Sequence, residues 1–236
     1  SAVNAALEWG VESVTVNDSH DRMINLDISK FPRGVEIISG SPKILGMVDG
    51  VQDSDVAFFM GYHAMAGTEK AILDHTYEPR TIFDMKLNGI KMGETALNAL
   101  FCGKLGVPVG MVTGDTALCL EASSILGSEL VTCELKEGVG RIAAKTLPPS
   151  ETSLLIASSV KEALDRAAAG KLPVFDVEPP YTIEVTFHTA AQTDAAALLP
   201  GSERISGRGL VFNTEDIFEI RRWFCSAMDV AEIVPF

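Results

Sequence analysis

The chain has 236 residues, 47% of them hydrophobic and 22% charged, a globular composition long enough for one large domain or two small ones. With 19 basic and 32 acidic residues the net charge is −13, which repels phosphate backbones and anionic lipid and makes nucleic acid and membrane surfaces poor partners. The longest apolar runs, such as 56–60, are far too short to span a bilayer, and no stretch reads as a signal peptide.

The first residues, 2–7, read as the interior of a helix that stops at Gly10. The chain is therefore expected to begin partway through an element, with a further N-terminal segment in the working protein. A strand follows over 11–16 and another over 35–38. Residues 56–60 are apolar throughout, as a parallel strand buried on both faces should be. Residues 81–87 alternate, Asn88-Gly89 supplies a type I′ turn, and 90–92 return, which predicts a hairpin. Gly93 opens a helix that ends near 103–106. The next strand, 107–112, carries Pro108 near its start and runs into Thr113-Gly114-Asp115 before another helix. A short strand is predicted over 129–135.

Pro148-Pro149-Ser150 is the strongest breaker. It separates an expected α/β domain, 1–148, from a smaller expected α+β section, 149–236. That section reads as a helix over 151–169, an alternating strand over 181–187, a helix over 190–198, a strand near 203–213 and a helix over 214–230. The fold class is α/β: an open, mostly parallel sheet flanked by helices, with the α+β section appended. Cys102, Cys119, Cys133 and Cys225 lie in apolar or amphipathic stretches without close pairing, as buried thiols of a cytoplasmic protein would.

In open α/β sheets the functional groups gather outside the carboxyl ends of the strands. Two of the four histidines stand there: His20 in "VNDSHD" after the strand 11–16, and His63 in "FFMGYHAMAG" after the strand 56–60. Imidazole is the commonest side-chain ligand of zinc, and a catalytic zinc takes about three protein ligands. Glu94, opening a helix, is the candidate carboxylate; an acid there also favours the helix dipole. Asp18 and Asp115 are further strand-end acids, as metal ligands, as supports for a ligating histidine, or as turn formers. His75, in "ILDHTY", is a candidate proton carrier or a loop histidine. His188 has no acidic or histidine company. "EGVGR" lacks the spacing and lysine of a phosphate-binding loop, and there is no Gly-x-Ser-x-Gly elbow.

Taken together, "VNDSHD" (16–21), "FFMGYHAMAGT" (58–68) and "LNGIKMGETALNA" (87–99), continuing through "GVPVGMVTGD", "RIAAKTLPP" and "LPGSERI", resemble the M55 metallopeptidases, the DppA-type D-aminopeptidases. The resemblance implies a zinc hydrolase with two ions per subunit that releases N-terminal D-amino acids from short peptides such as D-Ala-D-Ala, and a homodecameric ring with internal active sites. It implies His20, His63 and Glu94 as zinc ligands and His75 as the group acting on the substrate. The family's first strand carries an Asp-x-Glu motif that supplies the remaining ligands, and it would lie before Ser1. Two other readings stay open: a metal-dependent hydrolase of another small amide, and a non-catalytic member that keeps the fold as a binding module.

Overall fold

The computed structural model describes residues 1–234. Helix α1 (Ala2–Trp9) stops at Gly10, whose left-handed φ of 107° lets its N–H turn back onto the Ala6 and Leu7 carbonyls. Strands β1 (Val14–Asn17) and β2 (Val35–Ile38) pair in parallel as a separate two-stranded sheet. Then come β3 (Ala57–Phe59), the hairpin β4 (Ile82–Leu87) and β5 (Ile90–Lys91), and α2 (Glu94–Lys104). The Asn88-Gly89 turn takes positive φ at both residues, 49° and 78°, as a type I′ turn demands.

Strand β6 (Val109–Asp115) leads to α3 (Thr116–Leu126), and β7 (Val131–Gly140) forms a hairpin with β8 (Ala143–Thr146). The long helix α4 (Pro149–Ala168) precedes β9 (Tyr181–Phe187), α5 (Ala190–Ala196), β10 (Glu203–Arg204), β11 (Gly209–Thr214) and α6 (Ile217–Glu232).

The α/β class holds, with mixed sheets flanked by helices. One four-stranded sheet runs β3-β6-β7-β8, parallel except at its β8 edge. All seven residues of β6 are buried, as a central parallel strand requires. The second large sheet is antiparallel, in the order β10-β11-β9-β4-β5. The hairpin β4–β5 therefore completes the sheet built by β9–β11, across the Pro148 breaker. β9 alternates buried and half-buried along its length, as the sequence predicts.

One expected element changes form. The strand expected near 203–213 is a β10–β11 hairpin, because the Arg204 guanidinium binds the Ser206 and Gly207 carbonyls and closes the turn between them. "EGVGR" belongs to the β7–β8 hairpin.

The main core lies between the antiparallel sheet and α2, α5 and α6, filled by Phe101, Phe187 and Phe224, each at most 1% exposed. A second cluster packs α1 and α4 against β6 and β7 through Ala5, Ala6, Met111, Val160 and Ala163. Residues 94–102 of α2 are all buried, so this helix delivers its first residue, Glu94, deep inside the molecule. Cys102, Cys119 and Cys133 are buried free thiols and Cys225 is half-buried; burial pushes the Cys102 thiol up to about 12.

Candidate metal centre

Strand β3 is stitched to β6 at their shared carboxyl end. Thr113 accepts from the Gly61 N–H through its hydroxyl at 2.8 Å and from the Tyr62 N–H through its carbonyl at 3.0 Å. This fixes the turn that presents His63. The chain then forms a strap over residues 64–81. Ala66 N–H binds the Thr76 hydroxyl, Gly67 N–H binds Asp74, Ile72 N–H binds Asp115, and Leu73 N–H binds the Arg141 carbonyl. Leu73 and Tyr77, two residues either side of His75, take left-handed φ values of 53° and 59°. Strain of that kind persists only where the surroundings over-determine it, and these ties do so.

The strap places His75 against His63, with the rings stacked at 3.8 Å and 20°. His63 Nε2 stands 3.4 Å from Glu94 Oε1, and His75 Nε2 stands 3.7 Å from the same oxygen. Among the described residues, these three form a cluster whose ligand atoms lie within 4.8 Å of one another. Both separations exceed an ordinary hydrogen bond. Two donors on a tetrahedral zinc, each at about 2.0–2.2 Å, stand about 3.4 Å apart. Each Nδ1 faces a backbone carbonyl, Ala64 O at 3.1 Å for His63 and Leu73 O at 2.5 Å for His75, and so donates its proton there. That leaves both Nε2 lone pairs turned toward Glu94, the arrangement that orients ligating histidines. Two imidazoles and a carboxylate also match the donor set of a catalytic zinc. The residues fit the metal.

Electrostatics keep the centre polar despite its depth. Burial opposes the imidazolium of His63, but the adjacent Glu94 carboxylate outweighs it and raises the His63 pKa. Burial likewise favours neutral Glu94, yet His63, the Tyr77 N–H and His75 together hold its carboxyl below the usual range. Glu121, on α3, is pushed up by burial; its Oε2 accepts from the Met65 N–H at 2.8 Å while its Oε1 is buried without a hydrogen-bond partner.

The remaining sequence candidates lie elsewhere or have other work. His20, expected beside His63, stands outside the cluster: it is exposed, and its carbonyl accepts from the Met23 N–H and the Asn25 side chain. Asp18 is buried and accepts from the backbone N–H groups of Asn25 and Leu26, so "VNDSHD" anchors a turn. Asp115 caps α3 through the Leu118 N–H and holds the strap through the Ile72 N–H. His188 meets Phe83 edge-on. Sequence reading missed Tyr77, whose N–H donates to Glu94 Oε1 at 2.8 Å, and Asn98, which bridges the Tyr62 and Tyr77 hydroxyls. Only Asn98 carried a signal, as an amide one helical turn beyond Glu94.

Beside His75 opens a cleft of about 400 Å³, bounded by Phe83, Asp84, Lys91, Arg141 and His188, within the usual range for small-molecule sites. Among the described residues no helix is long and apolar enough to cross a membrane.

A sequence profile of the M55 peptidase family, described as D-aminopeptidase, matches residues 1–226. The D-aminopeptidase of Bacillus subtilis (strain 168) is 33% identical over 219 residues, covering 91% of this chain and 77% of that protein. The solved structure of the Zn-dependent D-aminopeptidase DppA from Bacillus subtilis, a self-compartmentalizing protease, superposes with a TM-score of 0.94 at 29% identity, covering 100% of this chain and 85% of that one. Matched in sequence and in fold over nearly its whole length, the chain belongs to the M55 family of D-aminopeptidases.

Proposed function

We propose that the protein is a zinc-dependent aminopeptidase that releases N-terminal D-amino acids from short peptides such as D-Ala-D-Ala. The observation that carries this reading is the convergence of two Nδ1-anchored histidines on one buried glutamate oxygen, in a chain whose fold matches a Zn-dependent D-aminopeptidase. His63 and Glu94 hold the metal. When bound, zinc polarises a carbonyl and lowers the pKa of water toward neutrality. His75 lines the cleft beside the centre; with its Nδ1–H held on Leu73 O, its Nε2 lone pair takes the proton released by the attacking water and passes it to the leaving amine. A second reading makes His75 the third ligand, favoured by its place in the cluster.

The family motif around His20 supports it as a ligand of a second zinc ion. The self-compartmentalizing relative supports a homo-oligomer, with the decamer implied by the family, in which the residues after 148 contribute chamber and subunit contacts.

The test is metal content and turnover of the full-length protein. His63→Ala loses zinc and release of D-alanine while keeping its fold. His75→Ala keeps zinc and loses turnover; zinc loss there establishes the third-ligand reading instead. Full activity in the His63 variant, or equal turnover of L-Ala-L-Ala, overturns the assignment.

A further inference from the structure

The cleft beside His75 carries its open charge on two cations. Lys91, on β5, pairs with Asp84 at 3.4 Å, and Arg141, in the β7–β8 turn, pairs with Asp74 at 3.0 Å. Their side chains are 49% and 52% exposed. Each cation faces one acid. Asp74 gives Oδ1 to Arg141 and Oδ2 to the Gly67 N–H, whereas Asp84 Oδ1 is buried without a hydrogen-bond partner and lies 3.4 Å from the Lys91 ammonium. The Lys91–Asp84 separation is long for a hydrogen bond, so the ammonium keeps donors for another acceptor. Arg141 is more committed: its Nε and Nη2 are both engaged with Asp74. Lys91 also precedes Glu94 by only three residues, at the junction of β5 and α2.

We infer that this cleft is the leaving-side subsite and that Lys91 is its specificity-determining residue, binding the free C-terminal carboxylate of a dipeptide-sized substrate, with Arg141 as the second cation. The inference rests on the aminopeptidase reading. With the scissile carbonyl at the metal centre and His75 at the leaving nitrogen, the carboxylate of a dipeptide lies one residue, about 3.5 Å, further on. His75 and Lys91 both line that cleft. The half-exposed ring of Phe83 forms an apolar part of the same wall for the second side chain. A longer chain places a neutral peptide carbonyl where the carboxylate would sit and forfeits the charge-assisted contact. Preference for short, unblocked peptides thus arises within the site itself.

The experiment compares D-Ala-D-Ala with its C-terminal amide on the zinc-loaded full-length protein, as parent, Lys91→Met and Lys91→Arg. The parent prefers the free acid by about 10- to 100-fold in kcat/KM, the scale of a hydrogen bond to a charged group. In Lys91→Met the preference collapses, with the loss appearing in KM for the acid; Lys91→Arg keeps most of it. A parent without preference, or equal losses on both substrates in Lys91→Met, overturns the inference. If neither peptide releases D-alanine, the aminopeptidase reading itself has failed. Titration calorimetry with the same two peptides then decides: acid-selective binding that depends on Lys91 retains the subsite, and its absence removes it.

Discussion

The Tyr77 N–H donates to Glu94 Oε1 at 2.8 Å, the same oxygen that the Nε2 atoms of His63 and His75 approach. One carboxylate oxygen is therefore oriented by the strap's own backbone toward the position a metal would take. This couples the strap that carries His75 to the helix that carries Glu94, and it makes the centre a property of tertiary structure.

Removing the charge at that oxygen separates metal binding from folding. Glu94→Gln preserves shape and can still accept from Tyr77, but it replaces an anionic ligand with a neutral amide. His63, the Tyr77 N–H and His75 hold the Glu94 carboxyl below its usual range, so its charge favours the fold at neutral pH and the metal-free variant is less stable than metal-free parent. Zinc at about 100 times its Kd stabilises the parent by about 2.7 kcal/mol, or about 5–10 °C in Tm for a chain of this size. Thermal melts with zinc and with chelator check this: the parent shows the increment and Glu94→Gln lacks it. An equal zinc-dependent rise in both would remove Glu94 from the metal.

Asn98 sits one helical turn beyond Glu94 and is fully buried. Its amide nitrogen donates to the Tyr62 hydroxyl at 3.2 Å, and its oxygen accepts from the Tyr77 hydroxyl at 3.2 Å. Asn98→Ala strands two buried hydroxyls and leaves a cavity. Unfolding free energy falls by about 2–4 kcal/mol, read as a lower denaturant midpoint at constant slope. Zinc affinity falls with it, because Tyr77 no longer holds Glu94 from a fixed place. A variant with parent stability would mean that these tyrosines find other partners.

Much of the fold was legible because its signals are local. β9 alternates, the Asn88-Gly89 turn fixes its hairpin, and β3 and β6 are apolar runs that end in polar residues at one sheet edge. His63 and Glu94 were readable for the same reason, as the first polar groups past a strand and at a helix start. The neighbour brought to His63 is His75, which local pattern did not reveal. The sequence sets His20 beside His63 because both follow strands; β1–β2 forms a two-stranded sheet of its own, and β3 pairs with β6. Which strand ends share an edge depends on sheet order, which no local pattern encodes. His75 reaches the centre through a strap held by Ile72 on Asp115, Leu73 on Arg141 and Tyr77 on Glu94, pairings invisible to periodicity. β8 is exposed at every residue, so burial wrote no alternation into it.

The glycines of "EGVGR" show what that motif does and supply a paired test of the strap. A Cβ on Gly138 would lie 1.7 Å from the Lys70 carbonyl oxygen, a backbone atom that cannot swing aside. A Cβ on Gly140 would meet nothing within 4 Å. Strand β7 thus lets the strap pass at Gly138, while Arg141 clamps it from the same hairpin through the Leu73 N–H and the Asp74 side chain and carbonyl. Gly138→Ala must push the strap outward, and His75 moves with it. Overpacking of this kind costs about 1–3 kcal/mol, and displacing a catalytic group by about 1 Å costs roughly 100-fold in rate. The expected outcome is a kcat lowered by about two orders of magnitude with zinc retained at His63 and Glu94, while Gly140→Ala behaves like the parent. Steady-state kinetics and metal analysis on the two variants check it. Parent-like kcat in Gly138→Ala would show that the β7–β8 hairpin does not set the position of His75.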